Sequence, residues 1–126
     1  AKSVTGIEGD KGLVKQAKKN AIKNDINNVE FFMADLAELD KSNEFIKGGF
    51  DKILLDPARA GAKEVIEALN TKNVKRIVYV SCNPATLARD AGILVNERGF
   101  KLTQAGVMDM FPHTTHVESI AVFNRE

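Results

Sequence analysis

The chain has 126 residues, of which 44% are hydrophobic and 28% charged, with a formal net charge of +1. That length supports one domain with its own core, and the mixed composition, free of low-complexity tracts, excludes a disordered or fibrous chain. No apolar run approaches the roughly 20 residues of a membrane span and no apolar leader is present, while the single cysteine excludes an internal disulfide or a four-cysteine metal site. The expectation is a cytoplasmic protein with one thiol to explain.

Ser3–Glu8 reads as a strand. Leu13, Val14, Ala17, Ala21 and Ile22 then recur at helical spacing to about Asn24, and Lys11, Lys15, Lys18, Lys19 and Lys23 fall on the polar side as a solvated face. Gly6, Gly9 and Gly12 lack the Gly-x-Gly-x-x-Gly order of a dinucleotide loop and read as helix-entry glycines. Val29–Met33 is a second strand, followed by a short helix or turn over Leu36–Leu39. The Gly48-Gly49 pair breaks the chain ahead of a third strand, Phe50–Leu55, closed by Asp56-Pro57. A helix near Ala62–Asn70 leads to Arg76–Val80, nearly all apolar, as a parallel strand buried on both faces should be. Asn83 as N-cap and Pro84 at the first helical position open a helix that ends near Arg98, with Gly99 as its C-terminal cap. Phe100–Met108 and Val117–Phe123 are β-like with no helix between them, which predicts an antiparallel pair at the edge of an otherwise parallel sheet. The alternation of strand and helix predicts an α/β fold.

In an open α/β sheet, ligands gather at the carboxyl ends of the strands. Glu8, Asp35, Asp56 and Cys82 stand at four successive tips. A carboxylate at the first tip can accept hydrogen bonds from both hydroxyls of a ribose, although any one of these acids can equally serve as a cap or turn residue. Cys82 lies between an apolar strand and a proline-started helix, where free N–H groups and the helix dipole favour a thiolate; the competing reading is a small buried hydrophobe. His113 and His116 lack a third ligand for a metal and, beside Phe111-Pro112, read as structural. Glu118, taken alone, is a surface strand residue.

Two strings carry more information: Asp56-Pro-Ala-Arg-Ala-Gly61 followed by Ile77-Val-Tyr-Val-Ser-Cys-Asn-Pro-Ala-Thr86, and Asp109-Met-Phe-Pro-His-Thr-Thr-His-Val-Glu118. They resemble the paired signatures of the TrmA/RumA-type RNA uridine-5-methyltransferases, and the resemblance extends over essentially the whole chain. It implies a Rossmann-like S-adenosylmethionine-dependent methyltransferase fold, mostly parallel with an antiparallel C-terminal edge. It implies Cys82 as nucleophile, Glu118 as general base, and Glu8, Asp35 and Asp56 as contacts of S-adenosyl-L-methionine, with Asn often standing at the position of Asp35 in relatives. The implied substrate is RNA, 23S ribosomal RNA in the first place and transfer RNA in the second, with no membrane partner. The Asp56–Arg59 segment would shape the pocket between cofactor and flipped base.

Relatives carry a first strand with a Gly-rich turn upstream of Ser3–Glu8, an N-terminal RNA-binding barrel and, in many cases, a four-cysteine iron–sulfur cluster. None is present in residues 1–126, which are therefore expected to be a single partial catalytic domain, weak in cofactor binding and inactive alone. Two facing strand edges would then be exposed, and self-association is expected. Two alternatives differ from this reading. An amino-group methyltransferase would need an Asp/Asn-Pro-Pro-aromatic loop where Asp56-Pro57-Ala58-Arg59 stands, and would leave Cys82 and Glu118 without work. A non-catalytic nucleotide- or RNA-binding module would form no covalent adduct.

Overall fold

A computed structural model describes residues 1–39 and 48–126. The first unit is a parallel pair, β1 (Val4–Glu8) and β2 (Val29–Met33), joined by α1 (Lys11–Lys23). Asp10 starts α1 by accepting the Leu13 N–H at 2.9 Å, and Val14 is the helix residue buried against the strands. The lysines of α1 lie on its exposed side, as its periodicity predicts. Gly6 corrects one expectation: it lies inside β1, where an added Cβ would come within 2.6 Å of the Phe31 ring, so its role is close strand packing and not helix entry.

The second unit is a four-stranded sheet in the order β3-β4-β6-β5, built from β3 (Lys52–Leu55), β4 (Arg76–Ser81), β5 (Lys101–Met108) and β6 (Glu118–Asn124). β3 and β4 are parallel, while β6 runs antiparallel to both β4 and β5. The expected antiparallel C-terminal edge is present, and the whole is an α/β architecture with mixed strand directions. Two helices, α2 (Lys63–Ala68) and α3 (Pro84–Asn96), accompany this sheet. Beneath them, Ile77, Tyr79, Ala121 and Phe123 alternate inward from β4 and β6 and meet Val65, Ile66, Leu94 and Phe100. Each large apolar side chain so buried contributes about 1.5–3 kcal/mol.

The final helix ends at Asn96 with Glu97 as its cap, slightly earlier than the sequence predicts. Gly99, at φ +74°, turns the chain so that the Phe100 N–H reaches the Leu94 carbonyl at 3.0 Å. Arg98, just past the helix, donates to the Ile66 and Leu69 carbonyls, each at 2.6 Å, and so satisfies the end of the short α2.

The two units are joined by packing. Leu36 and Leu39, in and just after a 3-10 turn at Leu36–Glu38, pack against the main core. Among the described residues, β1 and β2 of the pair and β3 and β5 of the larger sheet each keep one unpaired edge. No helix among the described residues is long and apolar enough to cross a membrane.

Candidate active site

The β4–β6 ladder determines where the chemistry sits. Its last rung pairs Ser81 with Ser119, so extending the register by one residue sets Cys82 opposite Glu118. Cys82 leaves the strand through a fixed turn: the Ser81 hydroxyl donates to the Asn83 carbonyl at 2.9 Å and accepts the Asn83 N–H at 3.0 Å. Asn83 then caps α3 by accepting the Ala85 N–H at 3.1 Å, ahead of Pro84. The thiol is half-buried, which excludes the inert, fully buried hydrophobe as its role.

Cys82 and Glu118 line one cavity of about 200 Å³ together with Arg59, Phe111, His116 and Val117. That volume is below the roughly 300–1,000 Å³ that encloses a whole small ligand, and it suits one ring. A thiol, a carboxylate, a guanidinium, an imidazole and an aromatic face surround the space. Arg59 Nη1 and His116 Nδ1 meet at 3.4 Å, a contact in which the guanidinium can only donate.

The β5–β6 connection brings two of these residues in. The Phe111 carbonyl accepts both the Thr114 N–H (3.2 Å) and the Thr114 hydroxyl (2.7 Å), and that hydroxyl accepts the His116 N–H at 3.2 Å. His113 is exposed in the left-handed region, at φ +64°. His116 also lines the cavity, a place that the sequence reading does not give it. No group of three or more potential metal ligands occurs among the described residues.

The remaining sequence-predicted residues lie outside that lining. Glu8 and Asp35 share the tip of the β1–β2 pair, where the Ala34 N–H bonds the Glu8 carbonyl at 3.1 Å. Glu8 accepts the N–H of Asp10, the cap of α1, at 3.0 Å, and Asp35 caps the 3-10 turn by accepting the Ala37 N–H at 2.9 Å. Asp56 is exposed directly after β3, beside β4, the strand that ends one residue before Cys82. A larger groove of about 410 Å³ runs between α1 and β2 and includes Lys18, Ile22 and Phe31, but it holds no nucleophile. Arg59 agrees with the pocket-shaping segment expected from the sequence. Phe111 and His116 were not legible as cavity residues, because they lie in a turn whose geometry depends on the β5–β6 pairing.

Residues 2–126 match the profile described as tRNA (Uracil-5-)-methyltransferase. The chain is 59% identical over 124 residues to a protein of Stenotrophomonas maltophilia named 23S rRNA (uracil(1939)-C(5))-methyltransferase RlmD, covering 98% of this chain and 28% of that one. The like-named protein of Xanthomonas axonopodis is also 59% identical, with the same coverage. The chain thus spans about 28% of the length of these curated relatives. Among solved structures, a precorrin-6y C5,15-methyltransferase from Geobacter metallireducens aligns with a TM-score of 0.71 at 14% identity, over 98% of this chain and 67% of that one. The M. jannaschii TYW2 structure, a complex with AdoMet, aligns at 0.64 with 19% identity, over 99% of this chain and 59% of that one. At such identities the likeness shows the fold alone, a Rossmann-like methyltransferase fold.

Proposed function

The chain belongs to the tRNA (uracil-5-)-methyltransferase family, and from that premise we propose that it supplies the catalytic centre for methylation of carbon 5 of a uridine in RNA. The favoured RNA is 23S ribosomal RNA, the substrate named for both relatives above. The observation that carries this reading is that Cys82 and Glu118, far apart in sequence, line one ring-sized cavity.

Carbon 5 of uracil is a weak nucleophile. The Cys82 thiolate adds to carbon 6, forming a C–S bond and sending the ring electrons to carbon 5 and the adjacent carbonyl as an enolate. Carbon 5 then takes a methyl group, which S-adenosyl-L-methionine supplies when bound. Glu118 removes the proton from carbon 5, and the electrons of that C–H bond reform the 5,6 double bond as the C–S bond breaks and returns the thiolate. Arg59 is the cation of the cavity, suited to a uracil carbonyl on which negative charge develops. Phe111 offers a stacking face.

Glu8, Asp35 and Asp56 are the proposed cofactor contacts. The test of fit is chemical: the carboxylates of Glu8 and Asp35 at the tip of the β1–β2 pair offer acceptors for ribose hydroxyls, and the exposed carboxylate of Asp56 after β3 offers a negative charge for a cationic sulfonium. Glu8 and Asp35 would hold the nucleoside end, while Asp56 lies nearer the reacting groups. The unpaired edges of β1 and β3 are where a further strand, or a second copy of the chain, would pair. A cytoplasmic location is part of this proposal, consistent with a reduced thiol as nucleophile.

The test is incubation of the full natural polypeptide with RNA containing 5-fluorouridine. Fluorine at carbon 5 cannot be removed by a base, so a denaturation-resistant RNA–protein adduct should form and should disappear in Cys82→Ala. A purely binding module, or an amino-group methyltransferase, forms no adduct, and that outcome defeats the reading.

A further inference from the structure

Asp90 is fully buried, and the mechanism above leaves it without a task. Its Oδ2 accepts the Tyr79 hydroxyl at 2.6 Å and the Ala62 N–H at 2.7 Å. Its Oδ1 accepts Arg89 Nε at 2.9 Å and lies 2.8 Å from Nη2 in an ion pair. Arg89 Nη2 also donates to the Ala60 carbonyl at 2.9 Å. Two residues at the start of α3 complete the pattern: Asn83 Nδ2 and the Thr86 hydroxyl each donate to the Arg59 carbonyl at 3.1 Å. Residues 83, 86, 89 and 90 share one face of the helix start, and they bind the main chain of 59, 60 and 62 in succession.

Gly61 shows how closely the loop is seated. It adopts φ +85°, and a Cβ there would lie 2.6 Å from Arg89 Nη2 and 2.7 Å from Asp90 Oδ2. The loop therefore has one position against α3, and that position determines where the Arg59 guanidinium enters the cavity beside Cys82 and Glu118.

We propose that Asp90 is a positioning residue for methyl transfer: with Arg89, Asn83 and Thr86 it clamps the 59–62 main chain and so places Arg59 in the cavity. The clamp meets no substrate itself, and it rests on the uridine reading above. A carboxylate suits the place because all its partners here donate; an amide would turn a donor toward at least one of them. Misplacement of a cavity group by about 1 Å can cost roughly 100-fold in rate.

The test is a double-mutant cycle on the full natural polypeptide, combining Asp90→Asn with Arg59→Ala. Asp90→Asn should lower kcat by about 10- to 100-fold, with KM for S-adenosyl-L-methionine unchanged. If Asp90 acts through Arg59, its loss adds little once Arg59 is gone. Multiplicative losses, or an Asp90→Asn enzyme with unaltered kcat, overturn the proposal. Should Asp90→Asn fail to fold, Thr86→Val removes one of the two side-chain donors to the Arg59 carbonyl without disturbing a buried charge. It should show a smaller kcat loss, again non-additive with Arg59→Ala, and additivity there overturns the proposal as well. Cys82→Ala separates the two levels of argument. Retained methylation in that variant defeats the uridine mechanism, whereas its loss alongside multiplicative Asp90 effects defeats only the clamp.

Discussion

The Tyr79 hydroxyl donates to Asp90 Oδ2 across 2.6 Å with both residues shut away from solvent, linking the central strand β4 to the helix that follows Cys82. Burial first, then the hydrogen bond to Asp90 and the charge of that carboxylate, raise the tyrosine pKa far above its ordinary value. Below pH of about 10 the folded and unfolded states both keep this proton, and the contribution of the pair to stability is complete. As pH climbs past 10 the unfolded chain releases its proton first, so stability falls by about 1.4 kcal/mol per pH unit until the folded value is reached. The chain has one tyrosine and no tryptophan, so tyrosinate absorbance reports this group alone. In the 126-residue chain the signal should stay absent at pH 10–11 while the fold persists, and appear together with unfolding. Titration near pH 10 in the folded chain would disprove the buried pair.

On the proposed mechanism, Cys82 just past β4 and Glu118 at the start of β6 carry separate halves of the reaction, so mutation should separate them. Cys82→Ala removes the atom that forms the bond, and methylation should fall below detection. Glu118→Gln leaves the thiol able to add but removes the base, so turnover should fall by about 10²- to 10⁴-fold while covalent RNA–protein complex accumulates on natural RNA. Gel electrophoresis under denaturing conditions reads both. Absence of complex in Glu118→Gln alongside full loss of turnover would move Glu118 from proton removal to an earlier step.

Most of the fold was legible because its signals are local. The helical recurrence of Val14, Ala17 and Ala21, the Asn83-Pro84 start and the apolar Ile77–Val80 run each specify an element without reference to the rest of the chain. The places of Cys82, Glu8, Asp35 and Asp56 just past or at strand ends were legible through strand-end logic, while Glu118 was singled out by the second motif string alone. His116 and Phe111 were not, because their place in the cavity depends on which residues of β5 and β6 pair, and the turn between them has no periodicity to read. Asp90 was missed for a related reason. Within α3 it looks like any polar helix residue, and only its contact with Tyr79 and Ala62 shows that it faces inward.

The core beneath α3 depends on few large side chains, which makes its weak point predictable. Phe123 is completely buried at the centre of the cluster, in the strand that joins β4 to β5. Phe123→Ala should cost about 3–5 kcal/mol, a large part of the roughly 5–15 kcal/mol available to a domain. Leu102→Ala, on the exposed edge strand β5, should change stability by no more than about 0.5 kcal/mol. Urea denaturation followed by circular dichroism measures both, and equal losses would contradict the placement of the core.

Two glycines, one inside α3 and one in the loop seated against it, should respond to the same substitution with opposite signs. Gly92 lies inside α3 with only Asn96 Nδ2 within 4 Å of its would-be Cβ, at 3.9 Å. Gly92→Ala should therefore raise stability by about 0.5–1 kcal/mol, the ordinary gain of alanine in a helix interior. Gly61→Ala must place a Cβ at φ +85° against Arg89 and Asp90. Left-handed strain of about 1–2 kcal/mol and overpacking of about 1–3 kcal/mol then add, and the loop should leave its seat on α3. The denaturation midpoints should shift in opposite directions with unchanged slopes. A Gly61→Ala chain as stable as the parent would mean that the loop is not seated on α3 as described, and the placement of Arg59 in the cavity would lose its support.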